Sequence, residues 1–465
     1  MKQRTGAVLL ATLASTGAWA QAVSGFSTTI ARVSRQDTPG FPAGTLAPVT
    51  EFVGLDATGL GSDKLSLHLA GWGFTDLADA STPNGKNGGD LSYGYLQYRF
   101  GRANAELKAG RFSVNQGSGV EQVNGVSART DLRGGLDLSG FFGSPVHAPT
   151  APSTAGKPYN YLYQTDVIFG SRLGWRALNL GELGLFFVQE GSKAAGDLPG
   201  APDKDYTRRQ VGTDLRFTPT PKVAFTGHSL FNVAPTYQAP GAAPPAGARV
   251  AEQDYVLHYL WAPNVNVTVD YTEHNLENYY AGTNLPNLFH PDVSDKHRAG
   301  GGSILLGPAD GSQVGLDFRR TFLQSYGGSD RFGAELRRAV AEQKIKYGAG
   351  LHKVVADQAL IPGASTPSFY GMSREEARGW VMYQPGKYSA SVDAICYHFD
   401  DSRNPNLNGK STLAQVVGSL GLQPTERLSV SGDLSLGTNA YYKNETSVLV
   451  RTTYRFSAGG PGGSK

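Results

Sequence analysis

The residues of this chain that could do chemistry are few and scattered: nine His and a single Cys in 465 residues. The densest polar group is "EHNLENYYAGTNLPNLFHPDVSDKH", where His274, Glu277, His290, Asp292 and His297 could meet across a loop. A His and carboxylate metal site needs ligands at short, characteristic spacings. This spacing matches none, so the group reads as a solvated loop. The chain has no C-x-x-C-H haem attachment, no H-E-x-x-H and no P-loop. With Cys396 alone it can carry neither its own c-type haem nor an iron–sulfur cluster, and in "SASVDAICYHF" that Cys reads as a small apolar residue. A membrane hydrolase would need a nucleophile beside a base, and no constellation stands out among the abundant Ser and acids. The expectation is a chain that is not an enzyme, with no catalytic, cofactor-binding or metal-ligating residues.

A second set of charged residues is placed by parity. Val265, Val267, Val269 and Tyr271 alternate with Asn266, Thr268, Asp270 and Thr272; Leu428, Val430, Leu434 and Leu436 alternate with Ser429, Ser431, Asp433 and Ser435. Period two means strands with unlike faces. Sixty Gly, 26 Pro, 22 Tyr and 21 Phe against three Met agree with a mostly β chain.

The start, "MKQRTGAVLLATLASTGAWAQ", has Lys2 and Arg4, an apolar stretch and Ala18-Trp19-Ala20. It reads as a secretory signal peptide, residues 1–20, cleaved after Ala20. Beyond it no run of apolar residues is long enough for a membrane helix. Lys plus Arg number 42 against 39 acids. That near-balance disfavours nucleic acid as a partner, because phosphate recognition needs a concentrated basic excess.

Tight links such as "FGRA" at Phe100, "TPTPK" at Thr218, "APN" at Ala262 and "QPGK" at Gln384 alternate with long polar stretches, among them Ser144 to Asn160 and His274 to Ser294. Backbone polar groups in a bilayer must be paired within the protein, which leaves helices and closed barrels. The expected fold is therefore an all-β, transmembrane, antiparallel up-and-down β-barrel of about 22 strands, in a range of about 18 to 22, with short periplasmic turns and long extracellular loops. It would occupy residues 21–456, followed by a flexible Gly-rich periplasmic tail, 457–465. The segment Gln116 to Gly134 reads either as strand and turn or as one inserted loop. Tyr93 and Tyr95 are expected in an interfacial aromatic girdle, together with Tyr159, Tyr161, Tyr163, Tyr279, Tyr280, Tyr441 and Tyr442.

Parity then predicts a lumen lined by Arg99, Glu106, Lys108, Asp214, Arg216, Asp270, Asp317, Arg319, Lys344, Lys346, Asp393, Asp433, Arg451 and Arg455. Both signs occur, which argues against strong ion selectivity. A barrel of this strand number is roughly 40 to 45 Å across its backbone and cannot be filled by its own side chains. Water, an inward loop or another protein must occupy it.

The stretch "YGYLQYRFGRANAELKAGRFSVNQGSGVEQVNGVSARTDLRGGLDLSGFFGSPV", Tyr93 to Val146, resembles the barrel subunits of porin–cytochrome electron conduits in metal-reducing bacteria. "LGLFFVQEG" from Leu183, "VGTDLRFTPTPKVAFTGHSLFN" from Val211 and the closing "LVRTTYRF" extend the likeness over most of the chain. The resemblance implies an outer-membrane barrel that sheathes a multihaem c-type cytochrome, with further cytochromes in the periplasm and outside the cell. Haem would be carried by that partner, not by this chain. The other reading is a water-filled diffusion porin for ions, phosphate or oligosaccharides. In either case the barrel is expected to be a single chain surrounded by outer-membrane lipid.

Overall fold

Branched and aromatic residues alternating with polar ones suit a pleated strand whose two faces meet different surroundings. In the computed structural model, which describes residues 20–36, 44–78, 86–116, 119–146, 167–177, 180–191, 208–233, 249–275, 296–307, 311–323, 327–357, 372–400, 407, 409–438 and 445–459, these segments are strands. In chain order they are β1 Ala22–Gln36, β2 Gly44–Leu46, β3 Pro48–Thr58, β4 Leu65–Asp76, β5 Asn87–Arg99, β6 Glu106–Gln116, β7 Gly119–Asp131 and β8 Leu136–Pro145. There follow β9 Val167–Ala177, β10 Gly181–Gly191, β11 Arg208–Thr220, β12 Val223–Asn232, β13 Arg249–Ala262, β14 Val265–His274, β15 His297–Leu306 and β16 Ser312–Leu323. The last are β17 Gly327–Val340, β18 Ile345–Ala356, β19 Arg374–Tyr383, β20 Tyr388–Phe399, β21 Thr412–Leu422, β22 Leu428–Thr438 and β23 Glu445–Gly459.

The pieces β2 and β3 are one stave. Both pair with β1 in a single register, Ser34 opposite Leu46 and Ala31 opposite Val49, interrupted at Ala47. Pro48 has no N–H to give the ladder, and the Ala47 N–H donates instead to Asp76 Oδ1 at 3.0 Å. The result is a closed barrel of 22 antiparallel strands. Each stave pairs with its sequence neighbour, and β1 seals to β23 from Ala22 opposite Gly459 to Ser34 opposite Ser447. Closure leaves no edge, so the ladder hydrogen bonds are satisfied within the sheet.

The two ends differ. At one end Pro221-Lys222 and Pro263-Asn264 suffice to join their strands; at the other, 146–166 and 275–296 intervene. Of the segment from Gln116 to Gly134, the described residues 116 and 119–134 form the end of β6, its antiparallel partner β7 and part of a 3-10 turn, Arg133–Gly135, rather than an inserted loop. The last strand runs past the expected barrel end at Phe456: Ser457 pairs with Ser24 and Ala458 with Val23. Residues Ser457–Gly459 are thus strand and not tail, because β1 offers ladder partners that far. The remainder of that tail, 460–465, and the signal-peptide residues 1–19 lie outside the described residues.

Outward positions are apolar around the barrel, with Leu185 52 %, Phe318 49 %, Leu351 68 % and Leu420 70 % exposed. A water-soluble protein would not leave such a belt uncovered. At the tight-turn end the belt is edged by Tyr98, Trp175, Tyr259, Trp261, Tyr383, Tyr388 and Tyr454, a girdle of the interfacial kind. Tyr93 and Tyr95 are not in it. They sit within β5 and face inward, Tyr95 stacking on His68 with centroids 4.9 Å apart and meeting Phe112 edge-on. The other seven Tyr expected in the girdle lie outside the described residues.

Candidate channel lumen

The inward face follows from register once one inward residue is known. On β9, "VIFGSRLGWRA", Val167, Phe169, Leu173 and Trp175 are exposed on the outside. Arg172 therefore points inward. Its guanidinium reaches three strands beyond its own: Nη1 donates to Asp137 Oδ1 at 3.0 Å, Nη2 to Glu182 Oε1 at 2.9 Å, and Nη2 and Nε to the two Asp214 oxygens at 2.7 and 3.0 Å. These hydrogen bonds and the facing charges hold the three carboxylates together on one wall.

A second cluster lines β14 to β19. Asp317 accepts from Arg331 Nη1 at 2.9 Å and lies 2.8 Å from His352 Nε2. Arg331 also donates to Glu376, which is held by Arg374 Nη2 at 2.7 Å. Beside it Arg319 Nη1 donates to Asp270 Oδ2 at 2.6 Å. Smaller pairs complete the wall: Arg378 with Asp393, Lys108 with Glu106 at 3.2 Å, and His228 with Glu252 at 2.9 Å.

Between β19 and β4, across the closing seam, apolar residues share the inward face with polar and charged ones such as Asp393, Asp433 and Arg451. Trp380 and Met382 on β19, Ile395 on β20, Val417 on β21, Leu449 on β23, Ile30 on β1, and Phe52 and Trp72 on the next two staves face the lumen. Trp72 is 37 % and Met382 39 % exposed, so these apolar groups are open to whatever fills the interior.

The residues expected to line the lumen can now be placed. By register Arg99, Glu106, Lys108, Asp214, Arg216, Asp270, Asp317, Arg319, Lys346, Asp393, Asp433, Arg451 and Arg455 share the face of Arg172. Lys344 does not stand on the wall. It belongs to the turn between β17 and β18, where its Nζ donates to Glu342 at 3.0 Å, because the chain reverses before reaching it. Sequence reasoning passed over Arg172, Asp137, Glu182, Arg331 and Glu376, although the parity of "VIFGSRLGWRA" contains the signal. It also passed over the inward apolar arc, since an apolar residue at an inward position defeats a rule that assigns apolar parity to lipid.

Of the groups in the polar segment 274–297, His274 and His297 face each other across β14 and β15, rings stacked with centroids 6.4 Å apart. Glu277, His290 and Asp292 lie outside the described residues. Among the described residues no group of three or more His, Cys, Asp or Glu is placed to hold a metal ion.

No protein-family model matches the chain, and no curated protein matches it. Solved structures do. The siderophore receptor PirA from Pseudomonas aeruginosa superposes with a TM-score of 0.54 at 14 % identity, over 93 % of this chain and 80 % of that one. A point mutant of the ferric enterobactin receptor PfeA from Pseudomonas aeruginosa gives 0.56 at 12 % identity, over 94 % and 80 %. At such identities the likeness is one of fold: this chain shares the large closed barrel of these receptors.

Proposed function

We propose that the chain is a channel-forming barrel of the bacterial outer membrane and that its lumen sheathes a multihaem c-type cytochrome. The observation that carries this reading is the inward arc from β19 to β4. Many charges elsewhere on the wall are gathered into ion-pair clusters around Arg172 and Arg331, whereas Trp72 and Met382 are offered to the lumen uncovered. Aromatic and Met side chains are the types enriched where one protein packs on another. A wall that met only water would gain nothing from them, and an aqueous pore tuned for ions would use unpaired rings of charge. The width supports the same reading, since a barrel roughly 40 to 45 Å across has room for a folded partner. The haem groups would belong to that partner, and this chain would insulate and position it.

The second reading, a diffusion porin, is supported by the ionic clusters of β8 to β11 and β14 to β19, which would keep a water-filled passage hydrated. Reconstitution separates the two. The native barrel, with whatever copurifies, is placed in liposomes enclosing a redox dye and given an external impermeant reductant. Dye reduction that depends on a copurifying cytochrome is the expected result. Free passage of small solutes through the native barrel without any cytochrome overturns the sheath in favour of the porin.

A further inference from the structure

We infer that the outward face of β14 to β17, at the end opposite the tight turns, binds the phosphate of a membrane-lipid headgroup. Charged side chains here point away from the lumen. Glu273 is opposite Arg298 in the ladder, Arg320 is opposite both Gly300 and Asp330, and inward Asp270 and Arg319 establish the parity. A charge facing hydrocarbon at mid-depth costs several kcal/mol, so this patch stands above the apolar belt, at headgroup level. Outward Val269, Ile304 and Phe318 lie below it.

Its construction suits a phosphate. Glu273 is held by Lys296 Nζ at 2.6 Å, Arg298 Nε at 3.2 Å and the Tyr271 hydroxyl at 2.7 Å. Asp330 accepts from Arg320 Nη1 at 3.0 Å. Each acid engages one side of its arginine and fixes the side chain, while Arg298 and Arg320 remain 47 % and 58 % exposed. Between them lies Gly300, which has no side chain and around which a Cβ would find nothing closer than 3.7 Å. The two guanidinium groups lean apart on either side of this bare backbone, Arg298 toward Glu273 on β14 and Arg320 toward Asp330 on β17, where its Nη2 lies beside Gly328 and Asp357. Each offers its exposed edge separately, and the planar fork of arginine matches phosphate oxygens in pairs.

The occupant is a lipid rather than free phosphate because Phe322, 42 % exposed and directly opposite Arg298, sets an apolar ring among the charges. A headgroup phosphate would meet the arginines while its glycerol or sugar and upper acyl carbons cover Phe322 and the belt.

The test uses the folded full-length barrel in detergent micelles, its folding checked by heat-modifiable gel migration. Lipid retention is measured by native mass spectrometry with diphosphoryl lipid A and, separately, phosphatidylcholine added. Lipid A is expected to be retained roughly tenfold more strongly than phosphatidylcholine. That preference should vanish in the Arg298→Gln/Arg320→Gln double variant and persist in Arg338→Gln, which alters an outward residue at the other end of β17. A charge-keeping Arg298→Lys/Arg320→Lys variant should fold readily and lose most of the preference, since lysine lacks the fork. Equal retention by wild type and both double variants overturns the proposal. So does full competition by millimolar inorganic phosphate, which would identify a free-anion site, or a patch that pairs two barrels and retains no lipid.

Discussion

Gly25 lacks a side chain at the point where the barrel is sealed. It lies on the outward face of β1, where the ring of Phe456 from β23 and the carbonyl of Gly54 occupy the space a Cβ would fill. The terminal aromatic thus packs onto bare backbone across the first and last strands. Gly25→Val should displace Phe456 and lower the unfolding free energy in detergent by about 2 kcal/mol, the usual scale of overpacking. Urea titration of heat-modifiable migration would check it, and an unchanged midpoint would show the seam to be tolerant. The β17–β18 turn has the opposite character: Ala341, Glu342 and Gln343 have φ of 52°, 56° and 67°, in the left-handed region. Such a conformation costs an L-residue about 1 kcal/mol that glycine avoids. Glu342→Gly should therefore raise the urea midpoint, by an amount equivalent to about 0.5 to 1 kcal/mol.

Among the strands, β8 to β11 are joined by more than their ladders. Arg172 is the common partner of Asp137, Glu182 and Asp214, with its side chain only 13 % exposed. Arg172→Met keeps the volume and leaves three carboxylates facing one another. The expected loss is about 3 kcal/mol of stability, as for a buried pair deprived of one member. Barrels that still fold should shift their reversal potential in a salt gradient toward cation permeation, because the wall has lost a positive charge. A planar-bilayer recording with no shift would mean that this cluster is remote from the conducting path. Element placement was largely legible in the sequence wherever alternation was strict, as in β14 and β22. It failed where the governing force is not periodic. The inward place of Tyr93 and Tyr95 depends on packing against His68 and Phe112, which only register brings near. The overrun of β23 depends on β1, more than four hundred residues earlier, having strand to spare. Lys344 looked like a strand residue because it continues the alternation of Lys346, yet the chain is still turning there.

The molecule as a whole is one sheet with hydrocarbon proposed on its outside and a hydrated or protein-filled interior, so neighbouring residues should tolerate charge in opposite ways. Val416 and Val417 make the comparison on β21. Val416 is outward, 43 % exposed and in mid-strand; Val417 is inward and opposite Asp393 and Ser435. Val416→Arg places a guanidinium against acyl chains, at a cost of about 2 to 4 kcal/mol near the bilayer midplane. Val417→Arg offers Asp393 a second cation and leaves the outer belt intact. The first variant should fold poorly into lipid vesicles while the second folds close to the wild-type yield, as read by protease protection and gel migration. In detergent micelles, which deform around a charge, the two should differ less. Equal yields in vesicles would mean that the outer belt does not face hydrocarbon, and the interior and exterior assigned here would have to be exchanged or abandoned.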